Sequence, residues 1–420
     1  MGTKALTSDI CIVGGGLTGL MMAITVSHTP YQITLLDRSK GTAPVADGRT
    51  TTIHAAGQRM LAALGVWGEL SYEPAPIHAI QVMAGDAATG LKARQRPLFD
   101  LEWTSPNKPM GYVVDNHDLF TALSVVLERR IAAKKISHLT GFSVTEMIRQ
   151  SSKVILKNDA HSYPPIECDL VVGCDGGKSP LRAKAGLRQI KESQLPGHRP
   201  QTAIVATMRL ERDHNNTAYQ RFLPCGPIAL MPLTGRFASL VWTMPEAEAT
   251  KLLACSDEEF NSACTLAFGP ALGYMNLESD RLEWPLHPAI SIRMTQQNLA
   301  LAGDAAHAIH PLAGQGYNLA LGDAAVLADT LTKAHQRGLV ASHSTILLDY
   351  EAGRRSEVAA MSTVTTGLNL LLSDKTSGFS KLVGAGMGLL NVAPFKSTLS
   401  RMAQGGILTK ASLLDGQLPS

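Results

Sequence analysis

Residues 9–37 read DICIVGGGLTGLMMAITVSHTPYQITLLD, and the fold turns on this stretch. Asp9–Val13 is a short apolar run of strand character. Gly14-Gly15-Gly16-Leu17-Thr18-Gly19 forms a glycine turn, Leu20–Ser27 has helical content, and Gln32–Leu36 is a second strand ending at Asp37. Strand, turn, helix and strand within about 30 residues make a βαβ unit, so a parallel sheet covered by helices is expected. In Gly14-x-Gly16-x-x-Gly19 the first glycine makes the tight turn and the second lets the backbone approach a pyrophosphate. The third lets the helix pack on the strand, and the helix N-terminus offers N–H groups and a positive dipole end to the phosphates. Asp37 lies 18 residues beyond Gly19, close to the ~20 expected of an acid that accepts a ribose hydroxyl. An acid there disfavours a 2′-phosphate, which leaves NAD or FAD. Glycine turns also arise for packing alone, but here all four parts of the unit fall in place.

The apolar run at 10–26 invites two other readings. It is 17 residues long and interrupted by four glycines, which makes a poor membrane span. Only Lys4 precedes it, Asp9 abuts it, and no small-residue cleavage motif follows before Asp37, so a signal peptide is not expected.

Composition supports a folded enzyme. The 420 residues suggest two or three domains, and 45% hydrophobic with 17% charged residues exclude a disordered chain. A net charge of +3 and 21 aromatic residues do not suit a nucleic-acid binder. The six cysteines at 11, 168, 174, 225, 255 and 264 contain no Cys-x-x-Cys pair, so neither a disulfide framework nor a zinc site is expected and a reducing compartment fits.

Outward from the βαβ unit, helical spacing recurs over 50–66 and 118–132, and 75–112 is strand-like. Runs at 142–148 and 153–157 suggest a hairpin, and DLVVG at 169–173 a buried strand. Short strands at Ala203–Leu210, Ile228–Met231 and Ala238–Thr243 suggest an antiparallel sheet. Near 298 a buried strand leads into a glycine-rich loop, then helices over 316–336 and 344–372. The outline is a dinucleotide-binding domain interrupted by a β-rich insert, with a helical tail.

Two further segments carry chemistry. In DLVVGCDGGKSPLR (169–182), Gly177-Lys178-Ser179 mimics an ATP phosphate loop, but that loop requires glycine at 172, which is Val. In GDAAHAIHPLAGQGYN (303–318), Asp304 at a strand end is placed to accept a ribityl hydroxyl. The glycines allow backbone to lie against a flat ring, and the helix from 316 presents a dipole end that stabilises an anionic ring. A metal pair from His307 and His310 lacks a third strong ligand, and no metal is expected.

These three segments, in this order, resemble the FAD-dependent aromatic hydroxylases of the p-hydroxybenzoate hydroxylase type, and within them the ubiquinone-biosynthesis hydroxylases. GDAAHAIHPLAGQGYNLALGDAAVLAD (303–329) is similar to that subgroup's signature, as are YVVDNHDL (112–119), RFLPCGPIALMPL (221–233) and SLVW (239–242). The likeness covers about residues 9 to 415. It implies an α/β protein, α+β overall: a Rossmann-like FAD-binding domain (1–75, 112–185 and 298–365), an inserted, mostly antiparallel β-sheet substrate domain (76–111 and 186–297), and a C-terminal helical tail (366–420). It implies that Gly14, Gly16, Leu17, Thr18 and Gly19 cradle the pyrophosphate and that Asp37 meets the adenosine ribose. Arg49, in Asp47-Gly48-Arg49, would contact the cofactor, and Asp175 would serve both FAD and a pyridine nucleotide. Gly303 and Asp304 would bind the ribityl and pyrophosphate region. Pro311, Gly314, Gln315, Gly316, Tyr317 and Asn318 would border the isoalloxazine. Cys174 stands where the family has Ala and Tyr317 where it often has Leu or Ile.

The activity implied is monooxygenation. Reduced FAD meets O2, forms a C4a-hydroperoxyflavin and transfers one oxygen to an electron-rich phenol ring carrying a polyprenyl chain. His310, Pro311 and Tyr317 are the candidates for positioning that ring or assisting phenol deprotonation. The reductant is NAD(P)H visiting the same cleft, since no second glycine fingerprint exists, or a protein electron donor. The alternatives are a hydroxylase of a soluble phenol and a flavin-binding scaffold without turnover. A polyprenylated substrate implies a cytoplasmic enzyme working peripherally at the inner face of the membrane. Residues 375–410 hold Lys375, Lys381, Lys396, Arg401 and Lys410 with no acid, which suits either anionic lipid or a protein surface. Other ubiquinone-biosynthesis proteins and a second copy of the chain are the partners left open.

Overall fold

The computed structural model describes residues 5–40, 46–84, 99–105, 107–158, 163–196, 199–223, 225–311, 314–372 and 409–419. Its first sheet has a parallel centre. Leu299–Leu301, Ile166–Gly173, Leu6–Val13, Ile33–Asp37 and Ile136–Thr140 lie side by side, all parallel. Ile10, Ile12, Leu35, Leu170 and Val172 are fully buried, as befits strands covered on both faces, where β-branched and aliphatic runs replace alternation. Helix Leu17–Val26 packs against Asn116–Ala132 and Gly316–Gln336, and the last of these packs against Ser344–Leu372. The hairpin Val144–Arg149 and Val154–Asn158 adds antiparallel strands beside Ile166–Gly173.

The second large sheet is built from Gln201–Leu210, Thr217–Leu223, Gly226–Pro232 and Phe237–Pro245 in antiparallel array. Ala79–Ala84 joins it in parallel beside Thr217–Leu223, and Phe99–Thr104 pairs with Ala79–Ala84. A separate core of Ile204, Leu230, Leu240, Phe260 and Met275 supports it. Between the two large sheets a small one joins Thr50–His54, Gly111–Asp115 and Ala75–Ile77.

Three sequence expectations are corrected. The first helix begins at Leu17, inside the glycine fingerprint, because Gly16 is extended and serves as its N-cap. Residues 50–66 are not one helix. Thr50–His54 is a strand and Ala55–Ala63 a helix, because three consecutive threonines and Ile53 favour extended backbone and His54 Nδ1 accepts the Gly57 N–H at 2.7 Å as an N-cap. The insert also holds two helices, Glu246–Ala254 and Asp257–Phe268; the second opens with a reciprocal Ser256–Glu259 capping box. Of the basic tail residues, Lys375, Lys381, Lys396 and Arg401 lie outside the described residues, and Lys410 is exposed. Among the described residues no helix is long and apolar enough to cross a membrane.

Candidate active site

The glycine turn is shaped by its neighbours. The Gly14 N–H donates to the Leu36 carbonyl (2.9 Å) and the Cys174 N–H to that of Val13 (2.8 Å), so the turn is stitched to both flanking strands. Gly14 has φ +117°, and a Cβ there would stand 2.4 Å from the Cys174 carbonyl oxygen. A Cβ on Gly19 would meet the Gly14 carbonyl at 1.7 Å. Gly16 differs: nothing lies within 4 Å of the place its Cβ would take, and no side chain caps the helix that begins there. Its first-turn N–H groups therefore face open space. The Asp37 carboxylate folds over the turn, where a Cβ on Gly15 would stand 2.1 Å from its Oδ2, and it accepts the Ser39 N–H at 2.9 Å.

The third segment reaches the same place from the other side. Gly303 (φ +57°) packs on the Thr18 side chain. Gly314 (φ +65°) packs on Thr52, and Gly316 opens its helix into free space. Asn318 ties that helix to the strand Thr50–His54: Nδ2 donates to the Thr52 carbonyl (2.8 Å) and Oδ1 accepts the His54 N–H (3.1 Å). Two helix N-termini, each opened by a glycine, thus border one cavity of about 530 Å³.

Of the residues singled out in the sequence, Gly16, Leu17, Thr18, Arg49, Asp304, Pro311, Gly314, Gly316 and Tyr317 line that cavity. Trp284–Pro288, from the insert, closes its other side, with the Arg49 guanidinium 4.3 Å from the Trp284 ring centroid. Arg49 Nε also donates to Asp47 at 2.6 Å. Asp304 is enclosed by protein on most sides yet opens to solvent through the cavity, and burial pushes its carboxyl above the usual range. Gly14, Gly19, Gly303, Gln315 and Asn318 stand behind this lining and shape it, and Asp37 lies beside it over Gly15. Asp175 is half-buried; its Oδ2 accepts the Leu181 N–H at 3.0 Å, and its Oδ1 is buried without a hydrogen-bond partner. Asp175 does not reach the lining, whereas its neighbours Cys174 and Gly176 do. The open glycine at each helix N-terminus suits a pyrophosphate, and the acids Asp37 and Asp304 suit ribose and ribityl hydroxyls. The residues fit FAD.

His310 lies outside the lining. It is buried, with Nε2 3.3 Å from Gln201 Oε1, and burial alone lowers its imidazole to about 4. Tyr317 is raised by burial, its hydroxyl 3.5 Å from the Leu17 carbonyl. At neutral pH His310 is uncharged and Tyr317 keeps its proton. His54 is likewise lowered to about 4, mainly by desolvation. For both histidines the folded value lies below the unfolded ~6.5, so the folded state resists protonation. Their contribution is fully present above pH ~6.5 and is lost as pH falls towards 4, on the order of 3 kcal/mol each. Thermal melts of the apoprotein from pH 7 to 4.5 are expected to fall steeply, and less steeply in His54→Asn, where asparagine can still cap, and in His310→Gln. Parallel curves would contradict this assignment.

Three residues matter here that the sequence did not flag. Arg182 Nη1 donates to the Ala305 carbonyl (2.7 Å) and Nη2 to that of Gly177 (2.8 Å), joining the second segment to the third. Asp323, fully buried, accepts from the Gly303 N–H (2.8 Å), His307 Nε2 (2.7 Å) and Arg354 Nε (2.7 Å). His307, then Arg354 and the Gly303 N–H, hold its carboxyl below the usual range despite burial. A charged residue in the apolar run LALGDAAVLA was the one available signal for Asp323.

A family model described as FAD binding domain matches residues 7–365. The chain is 33% identical to the ubiquinone hydroxylase UbiL of Rhodospirillum rubrum over 96% of its own length and 91% of the relative's. It is 29% identical to the 3-demethoxyubiquinol 3-hydroxylase of Escherichia coli over 83% and 86%. Among solved structures, the p-nitrophenol 4-monooxygenase PnpA of Pseudomonas putida superposes with a TM-score of 0.72 over 96% of this chain and 99% of that one, at 15% identity, a likeness of fold. With the family model spanning most of the chain and a glycine-lined cavity suited to its cofactor, the protein belongs to the FAD binding domain family, as an FAD-dependent monooxygenase of the aromatic-hydroxylase type.

Proposed function

We propose that this enzyme hydroxylates the aromatic ring of a polyprenylated phenol in ubiquinone biosynthesis. The observation that carries the reading is the convergence of all three sequence segments on one cavity whose far wall, Trp284–Pro288, comes from the insert. The named activities of the relatives from Rhodospirillum rubrum and Escherichia coli support the substrate class. The division of labour follows the domain limits expected from the sequence, with residues 1–75, 112–185 and 298–365 serving FAD and 76–111 and 186–297 serving the substrate.

Bound and reduced FAD supplies the activation of O2, chemistry no side chain provides. The chain's work is binding, orientation and exclusion of water. Gly14, Gly16, Leu17, Thr18 and Gly19 receive the pyrophosphate on the helix N-terminus. Asp37 and Asp304 accept hydroxyls of the ribose and ribityl chain, and Arg49 caps the site over Trp284. Pro311 to Asn318 frame the isoalloxazine, where the N-terminus of Gly316–Gln336 favours negative charge on the ring. Tyr317 keeps its proton and so serves as a hydrogen-bonding partner rather than as a base, and Pro311 fixes the edge against which the phenol lies. His310 acts from behind, through Gln201. The reductant is NAD(P)H or a protein donor reaching this cleft. The polyprenyl chain brings the enzyme from the cytoplasm to the inner face of the membrane.

The test is the quinone pool of a strain lacking the gene. A prenylated precursor short of one ring hydroxyl is expected to accumulate, and restoring the wild-type gene should clear it. An unchanged quinone pool would overturn the substrate assignment while leaving FAD binding intact.

A further inference from the structure

We propose that the C-terminal segment Thr409–Pro419 is a clasp that fixes the cofactor loop Gly303–His307, acting through Arg354. This inference rests on the reading of the cavity as an FAD site. The segment docks on the FAD side of the molecule. Ala411, Leu413 and Leu414 are buried in the first core, Arg59 Nε donates to the Leu414 carbonyl (3.1 Å), and Asp329 Oδ2 accepts the Ser412 N–H (2.9 Å) and hydroxyl (3.1 Å).

Its first residue connects it to the site. Arg354 Nη1 donates to Thr409 Oγ1 (2.6 Å), and the Thr409 hydroxyl donates in turn to Glu357, which also pairs with Arg354. The same guanidinium reaches Asp323 through Nε (2.7 Å) and the Leu319 carbonyl through Nη2 (3.0 Å). Asp323 then holds the Gly303 N–H and His307, one on each side of Asp304. Arg354 has no slack. It is fully buried, and a Cβ on Gly322 would stand 2.6 Å from its Nη1. A planar fork confined on that side transmits the position of one partner to the others. Arg354, Glu357 and Thr409 are therefore positioning residues: they touch no cofactor, and they set where Asp304 stands.

The test compares FAD dissociation constants, read by fluorescence quenching, with apoprotein melting temperatures. Thr409→Val is expected to weaken FAD binding about tenfold, and Thr409→Ser, which keeps the hydroxyl, to restore it. Leu156→Ala, in the same core but opposite Ile166 at the end of the sheet away from the glycine turn, is expected to lower the melting temperature with FAD affinity within about twofold of wild type. Glu357→Gln provides a second variant should Thr409→Val not accumulate. FAD affinity unchanged in Thr409→Val or Glu357→Gln, or lost equally in Leu156→Ala, would overturn the clasp. Failure of the wild-type protein to bind FAD would instead overturn the reading of the cavity.

Discussion

Gly14→Ala is expected to fold with a lowered melting temperature and to purify without flavin, its FAD affinity reduced by about a hundredfold or more. Two independent costs fall on one methyl group. The backbone sits at φ +117°, a region that costs a non-glycine residue on the order of 1–3 kcal/mol. The added carbon would also stand 2.4 Å from the Cys174 carbonyl oxygen. That carbonyl belongs to the turn after Ile166–Gly173, whose in-register pairing with Leu6–Val13 leaves it nowhere to retreat. The turn must open, and the N-terminus of Leu17–Val26 then no longer faces the pyrophosphate. Flavin-to-protein absorbance after gel filtration measures this directly. Gly16→Ala is the control, because its Cβ would meet open space. It should leave the melting temperature unchanged and reduce only FAD binding, where the methyl intrudes on the phosphate. Retention of stoichiometric FAD by Gly14→Ala would contradict the geometry of the turn.

The second large effect is expected at Asp323. Asp323→Ala leaves His307 and the Gly303 N–H without their buried acceptor and takes from the fully buried Arg354 one of its two acidic partners, the other being Glu357. Breaking one side of such a pair typically costs about 3–5 kcal/mol, a large share of the roughly 5–15 kcal/mol that holds a protein folded. Chemical denaturation of the apoprotein should show this loss. The double variant Asp323→Leu/Arg354→Met, which replaces both charges with apolar groups, should recover part of it, because the penalty lies in the uncompensated charge rather than in the pair itself. A double variant no more stable than Asp323→Ala would contradict that partition.

The difference between Gly14 and Asp323 marks what was legible in the sequence. The glycine fingerprint, Asp37 and the helices at 316–336 and 344–372 are local, and hydrophobic period, turn chemistry and spacing within one βαβ unit suffice to place them. Their roles in a common cavity came with the family resemblance. Over residues 50–66, Met60, Leu61 and Leu64 carry a helical spacing into which Ile53 happens to fall. Only the pairing of Thr50–His54 with Gly111–Asp115 shows that the strand wins there. The helices of the insert are hidden because their charged first turns look like loops, and only in the second do Ser256 and Glu259 cap each other. Asp323 and Arg354 stand 31 residues apart, and Thr409 lies further still. No periodicity links residues on separate elements that meet around one buried guanidinium. The same holds for His310, whose place in GDAAHAIHP put it near the flavin while its side chain turns to Gln201 on a different sheet.

The most direct test of the central claim is the origin of the oxygen in the product. Purified FAD-loaded enzyme, given a chemically reduced flavin, a short-chain prenylphenol and isotope-labelled dioxygen, is predicted to place one labelled oxygen atom on the ring of each product molecule. A hydroxyl carrying oxygen from unlabelled water, or flavin reoxidation that yields hydrogen peroxide and no hydroxylated ring, would contradict it.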